Sequence, residues 1–340
     1  MTENGTMADL PPGDTIMSRE IAGTENPVKP IPLVLVHGFT GTPGIWCNLI
    51  QALTGMQVTY EGKDKTWTYS AVSCQGSGPG IYAMKEIWPF DYSDNNTGDP
   101  ERIAQNLISF INNKRKENGY PEGKIDIVCH SMGALVSRYC MEVLTGSSGE
   151  TDAEQVRSWI GICPVNHGAA IADIIDNLPC FLHAVFPSFI GFTPAVHAMR
   201  TDSEIVRSLK KKPQSSGTIY RVIAGYNSEK TPWYKSLPLC FGKTLEVTVD
   251  AEGKRKYAFT YFGDGVVALA QSYLEGAGLD CFEMEEHIPA PCSKKVIETI
   301  LTFLQNPDTP LLVNWPARNS QKLTFNATEF LKKNQNSDRF

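Results

Sequence analysis

Residues 124–144 constrain the chain more than any other stretch. Lys124–Cys129 is a short apolar run of strand length, Met132 to about Leu144 is an apolar run of helix length, and His130-Ser131 is all that separates them. A strand that turns this sharply into a helix belongs in a parallel sheet, where each strand is followed by a crossover packed back onto the sheet. The same rhythm recurs along the chain. Ile31–Val36, bounded by prolines and by His37-Gly38, reads as a buried parallel strand, and Trp67–Cys74 reads as a second. Ser158–Cys163, Thr218–Ala224 and Leu279–Met284 are further strands. Asp99–Asn118 opens on an Asp-Pro helix start, places Ile103, Leu107, Ile108 and Ile111 on one face and stops at Gly119; Ser293–Leu304 is the last helix. Lys243–Val249 and Lys256–Phe262 flank the turn Asp250-Ala-Glu-Gly253 as a hairpin.

This pattern predicts an α/β fold, a mostly parallel sheet with helices on both faces. It divides the 340 residues into a core (31–165 and 217–305), an insertion (166–216) and two extensions (1–30 and 306–340). The insertion carries an apolar, proline-broken tract, Leu178–Phe192, which reads either as a cap over the core or as ordinary buried helices beneath a loop.

Composition removes several classes of function. A net charge of −6, with Lys210-Lys211-Lys212 read as a solvated turn, does not supply the clustered cations that nucleic-acid binding needs. No stretch approaches the roughly 18 consecutive apolar residues of a transmembrane helix. The first 31 residues lack an apolar signal core, so the expectation is a soluble, cytoplasmic protein. Nine cysteines, irregularly spaced and in places within apolar strands (Cys129, Cys163, Cys281), read as buried free thiols rather than a disulfide framework or a metal site.

The tight turn holds the chemistry. Cys129-His130-Ser131-Met132-Gly133 approaches the pattern Gly-x-Ser-x-Gly, in which the residues two before and two after the serine must be small because the turn brings them against neighbouring backbone. A serine hydroxyl needs a base to take its proton. Of six histidines, His37 and His130 read as structural, and His167, His183 and His197 lie in or beside the insertion. His287, between the last strand and the last helix, stands where a base can be delivered. A buried carboxylate must then orient the imidazole. Asp264, between Gly263 and Gly265 and before Val266-Val267, is the candidate; an Asx turn of no catalytic role is its rival. Asp280, within a strand, and Asp250, on the hairpin turn, fit less well. The order Ser131, Asp264, His287 is nucleophile, acid, base. For the oxyanion, the donors are the N–H groups of Met132 and of Phe39, the latter in the glycine-bearing loop His37–Gly41. That loop lacks the Lys-Ser or Lys-Thr pair of a phosphate loop.

Taken together, His37-Gly38-Phe39, Cys129–Gly133, Pro164-Val-Asn-His-Gly168, Gly263–Val267 and His287 resemble the lipase and esterase branch of the α/β-hydrolase superfamily over about residues 31–305. The resemblance implies a two-step acyl-enzyme mechanism on an apolar small-molecule or lipid ester, no cofactor, and a mobile cap. Asn166-His167-Gly168 would be the structural lead into that cap, and Phe181, Phe186, Phe189 and Phe192 would line an acyl pocket. Cys129 in place of the first glycine and the long connection from Ala224 to Gly263 depart from the pattern. Three other readings stay open: an acyltransferase or thioesterase with the same residues, a non-catalytic hydrolase-fold binding protein, and a peptidase or C–C hydrolase.

Overall fold

A computed structural model describes residues 31–71, 81–120, 123–144, 155–176, 193–211, 217–227, 244–283, 285–307 and 312. The strands among them are β1 (Leu33–Val36), β2 (Met56–Glu61), β3 (Thr66–Ala71), β4 (Ile87–Phe90), β5 (Ile125–His130), β6 (Val156–Ile162), β7 (Ile219–Tyr226), β8 (Thr244–Val249), β9 (Arg255–Thr260) and β10 (Gly278–Glu283). Six of them form one sheet in the order β10-β7-β6-β5-β1-β4, with every neighbouring pair parallel.

Strand periodicity explains how both faces are covered. Successive side chains point to opposite faces. Val34, Val36, Ile127 and Cys129 join one core with helices α2 (Pro100–Glu117) and α3 (Met132–Glu142), whereas Leu33, Leu35 and Val128 join a second with α1 (Cys47–Thr54) and α8 (Lys294–Gln305). This is why the central strands read as mostly apolar runs. Helix α2 begins where its sequence says: Asp99 caps the N–H of Glu101 at 3.0 Å, Pro100 occupies the first turn, and Lys114, Arg115 and Lys116 sit at the negative end of the helix dipole. Helix α3 is tied inward by a buried ion pair. Arg138 Nε and its terminal nitrogen Nη2 each donate to Glu142 at 2.9 Å, and the Tyr220 hydroxyl donates to the same carboxylate at 3.0 Å.

Two expectations are corrected. Trp67–Cys74 does not supply a buried parallel strand: its described part, β3, pairs antiparallel with β2 in a separate ribbon, and its Thr-Trp-Thr-Tyr-Ser alternation leaves it mostly exposed. The parallel neighbour of β1 on that side is β4, Ile-Trp-Pro-Phe, whose proline is tolerated because β4 is the sheet edge. Lys210 and Lys211 do not form a turn; they close helix α6 (Glu204–Lys211).

Between β6 and β7 lie α4 (Ala170–Asp176), α5 (Pro194–Ala198) and α6. Ala195, Val196, Ile205, Val206 and Leu209 of α5 and α6 are buried in the same core as α2 and α3. Residues 177–192, with Phe181, Phe186, Phe189 and Phe192, lie outside the described residues. β8 and β9 pair antiparallel as the predicted hairpin, which docks on the neighbouring insertion. The Tyr257 hydroxyl donates to Asp173 at 3.1 Å, and Arg255 pairs with Asp202 at 2.6 Å. The six described cysteines are free; Cys129 and Cys163 are buried, while Cys281 is only partly so. No helix among the described residues is long and apolar enough to cross a membrane.

Candidate active site

Parallel neighbours end at the same edge of the sheet. Val36 pairs with Cys129, so the loop after β1 and the turn after β5 emerge side by side. That turn is completed in one residue: Ser131 takes φ 54°, ψ −124°, a conformation ordinarily left to glycine, and α3 begins immediately after it. The crowding it creates is visible at two glycines. A Cβ on Gly133 would overlap the carbonyl oxygens of Val36 and His37, and one on Gly38 would sit 2.9 Å from Ser131 Cβ. Cys129, in the first small-residue position, is fully buried, with its thiol 3.5 Å from the Ile160 carbonyl oxygen.

His287 arrives on the loop after β10. Its Nε2 lies 2.7 Å from Ser131 Oγ and its Nδ1 lies 2.8 Å from Asp264 Oδ2. The Asp264 carboxylate divides its two oxygens between the turn and His287. Oδ1 accepts the N–H groups of Val266 and Val267 at 2.9 and 2.8 Å, and Oδ2 faces His287. Burial alone would raise the carboxyl. The His287 ring and the two turn N–H groups outweigh burial and hold it below the usual carboxylate range. Ser131, Asp264 and His287 are all less than a tenth exposed. Asp280 instead pairs with Arg221, and Asp250 caps the N–H of Lys254.

Neither the Phe39 nor the Met132 N–H donates to a protein acceptor among the described residues. Met132 opens α3, so its N–H also lies at the positive end of a helix dipole. The Phe39 loop is held from behind. His37 Nδ1 donates to the Gly38 carbonyl at 3.0 Å, its Nε2 accepts the Tyr92 N–H at 3.3 Å, its ring stacks on Tyr92 at 3.9 Å, and the Tyr92 hydroxyl donates to the His37 carbonyl. Burial pushes His37 down to about 4, so it stays neutral.

Three residues at the site escaped the sequence. His130, read from the sequence only as structural, reaches the base loop: its Nε2 donates to the His287 carbonyl at 2.8 Å. Thr244, at the base of the β8–β9 hairpin, accepts the Gly265 N–H at 2.8 Å and so supports the Asp264 turn. Cys163, the residue after β6, places its sulfur, a carboxylate oxygen of Asp264 and a ring nitrogen of His287 within 4.8 Å of one another. These are metal-ligand types, but the carboxylate and imidazole already bond each other, and burial followed by the Asp264 charge holds the thiol protonated. Nothing in the spacing of Thr244 or Cys163 could have signalled these contacts. Asn166 and Gly168 are structural: Asn166 Nδ2 donates to the Ser272 carbonyl at 2.7 Å, and Gly168 (φ 77°) leaves no room for a Cβ beside Thr201.

A sharp strand-to-helix turn bearing a serine, on a parallel sheet with helices on both faces, defines a class, and the comparisons agree with it. The Alpha/beta hydrolase family model matches residues 33–252, and the chain belongs to that family. Among solved structures it is similar to the propeptide form of the lipase BlEst2 from Bacillus licheniformis (TM-score 0.54, 16% identity, 86% of this chain and 54% of that one). It is also similar to the phospholipase PlaB from Legionella pneumophila (TM-score 0.52, 13% identity, 82% of this chain and 60% of that one). The chain thus spans between half and two thirds of each of those chains, and the likeness at this identity is one of fold. The mature form of BlEst2 gives a TM-score of 0.49 at 16% identity, covering 82% of this chain and 92% of that one. No curated protein matches the chain.

Proposed function

We propose that the protein is a serine hydrolase of carboxylic esters. The observation that carries this is the hydrogen-bonded series from Ser131 Oγ through His287 to Asp264, at 2.7 and 2.8 Å, on a strained turn at the sheet edge. Ser131 Oγ attacks the acyl carbonyl while His287 Nε2 takes its proton, and Asp264 Oδ2 stabilises the imidazolium through Nδ1–H. The Phe39 and Met132 N–H groups receive the oxyanion. His287 Nε2–H then protonates the departing alkoxide, and the C–O bond to the alcohol breaks, leaving an acyl-serine. A water, deprotonated by the same nitrogen, releases the acid and restores Ser131. The BlEst2 and PlaB neighbours are a lipase and a phospholipase, which makes lipid-like esters the first class to test.

The experiment is hydrolysis of p-nitrophenyl esters of graded acyl length by wild type and Ser131→Ala, with fluorophosphonate labelling of Ser131 read by mass spectrometry. Activity and labelling lost in a folded Ser131→Ala support the reading. Activity that survives the substitution sinks it. Labelling without ester turnover, followed by acyl transfer to an added alcohol or turnover of a thioester, would move the assignment to a transferase or thioesterase. No labelling and no turnover in a folded wild type would favour a binding protein.

A further inference from the structure

His287 stands on no regular element: β10 ends at Glu283 and α8 starts at Lys294, with only a 3₁₀ turn, Ala290–Cys292, between them. Its place depends on hydrogen bonds at all four of its polar atoms. Its N–H donates to the Asp264 carbonyl at 3.1 Å, Nδ1 meets Asp264 Oδ2 and Nε2 meets Ser131 Oγ. The fourth atom, its carbonyl oxygen, accepts from His130 Nε2 at 2.8 Å. A carbonyl can only accept, so His130 carries its proton on Nε2. The two rings lie 4.9 Å apart at 44°.

Resting on the serine-hydrolase reading, we propose that His130 is a positioning residue whose Nε2–H clamps the His287 carbonyl and so sets the base's distance from the nucleophile. His130 is the last residue of β5 and the chain neighbour of Ser131, so it moves with the nucleophile. The clamp therefore joins the nucleophile turn to the base loop through one bond that involves neither the acid nor the substrate. Charge also suits the task. Burial first, and the neighbouring His287 second, push His130 down to about 3. It stays neutral when His287 becomes an imidazolium beside it and adds no second positive charge. A histidine present only for packing would tolerate an apolar side chain of like volume, and glutamine would serve no better.

The test compares wild type, His130→Met and His130→Gln. Glutamine's Nε2 amide can reach the place of the imidazole Nε2, and methionine fills similar volume without a donor. With melting curves establishing that each variant folds, His130→Met is expected to lower kcat on a p-nitrophenyl ester by about 10- to 100-fold with KM little changed, the cost of a misplaced group. His130→Gln is expected to recover most of it. The hydrogen-bonded Nδ1 proton of His287 gives a second readout by ¹H NMR: a low-field resonance sharp in wild type and His130→Gln and exchange-broadened in His130→Met. Wild-type kcat and a sharp resonance in His130→Met would overturn the proposal, as would equal losses in both variants with unchanged resonances. If His130→Met does not fold, His130→Asn replaces it, since its amide stops short of the carbonyl. A wild type that hydrolyses no ester would refute the hydrolase reading instead, and the resonance comparison would still decide whether His130 holds His287.

Discussion

Replacing Asp264 by asparagine changes one atom and should reverse the tautomer of His287. Oδ1 of Asp264 accepts two backbone N–H groups, from Val266 and Val267, while Oδ2 faces His287 Nδ1. In Asp264→Asn the amide oxygen stays with the turn, because the flipped amide would put an NH₂ against two N–H donors and leave buried groups unpaired at about 1–3 kcal/mol each. The amide nitrogen must then face His287, Nδ1 becomes the acceptor, and the ring proton moves to Nε2. That nitrogen lies 2.7 Å from Ser131 Oγ and can no longer take its proton. Losing the correct tautomer with geometry intact costs about 10⁴ in kcat, which is roughly 5.4 kcal/mol of barrier. The assay is steady-state hydrolysis of a p-nitrophenyl ester beside a melting curve, with KM expected to hold. A folded Asp264→Asn within tenfold of wild type would show that Asp264 does not set the tautomer, and the reasoning would fail.

Acid should destabilise the protein in a defined window. His37 and His130, ordinarily near 6.5, are held at about 4 and about 3 by burial, so below pH 6.5 the unfolded chain binds protons that the folded one refuses. Each contributes a loss of about 1.4 kcal/mol per pH unit, ending near pH 4 for His37 and near pH 3 for His130. The depressed Asp264 adds to it in the same direction only as the pH nears and passes 3.8, the ordinary value of its carboxyl. Urea midpoints from pH 7 to 4 check this, and a slope unchanged in a folded His130→Gln would count against it. Gly133→Ala should fail to form the turn, because the added carbon meets backbone oxygens that cannot move aside; a melting temperature within a few degrees of wild type would contradict this. Arg138→Met should cost about 3–5 kcal/mol by leaving the Glu142 charge buried without its partner, whereas Arg138→Met with Glu142→Leu should recover much of it, both read from urea denaturation.

What the sequence disclosed follows from where each residue sits. β1, β5, β6 and β7 are covered on both faces, so they appear as mostly apolar runs, broken by Asp126 and Arg157, which pair with each other, and by Arg221, which pairs with Asp280. β4 holds Pro89 and follows Lys85-Glu86, and an edge strand of four residues leaves too little pattern to detect. The β2–β3 ribbon misled because β-branched and aromatic residues suit an exposed ribbon as well as a buried strand. Ser131 and Asp264 could be singled out because neighbouring glycines mark their turns, and His287 because chain order and its place between the last strand and the last helix mark it. Side-chain direction could not be read. His130 looks like a bystander until the φ, ψ of Ser131 is known, and Thr244 lies 20 positions from the turn it supports, joined to it only by the hairpin.

The bond between Ser131 and His287 spans 156 positions of chain. At 5–20 residues per second, a ribosome needs roughly 8–30 s to travel from one to the other. Throughout that interval the nascent protein carries its serine without the imidazole, and the carboxylate is made only 23 positions before that imidazole. On the proposed serine-hydrolase reading, a chain built in this order is kept inert by synthesis itself. A fluorophosphonate applied to ribosome-bound chains of increasing length would act as a clock for folding, silent until the segment around residue 287 has left the exit tunnel and docked beside β5.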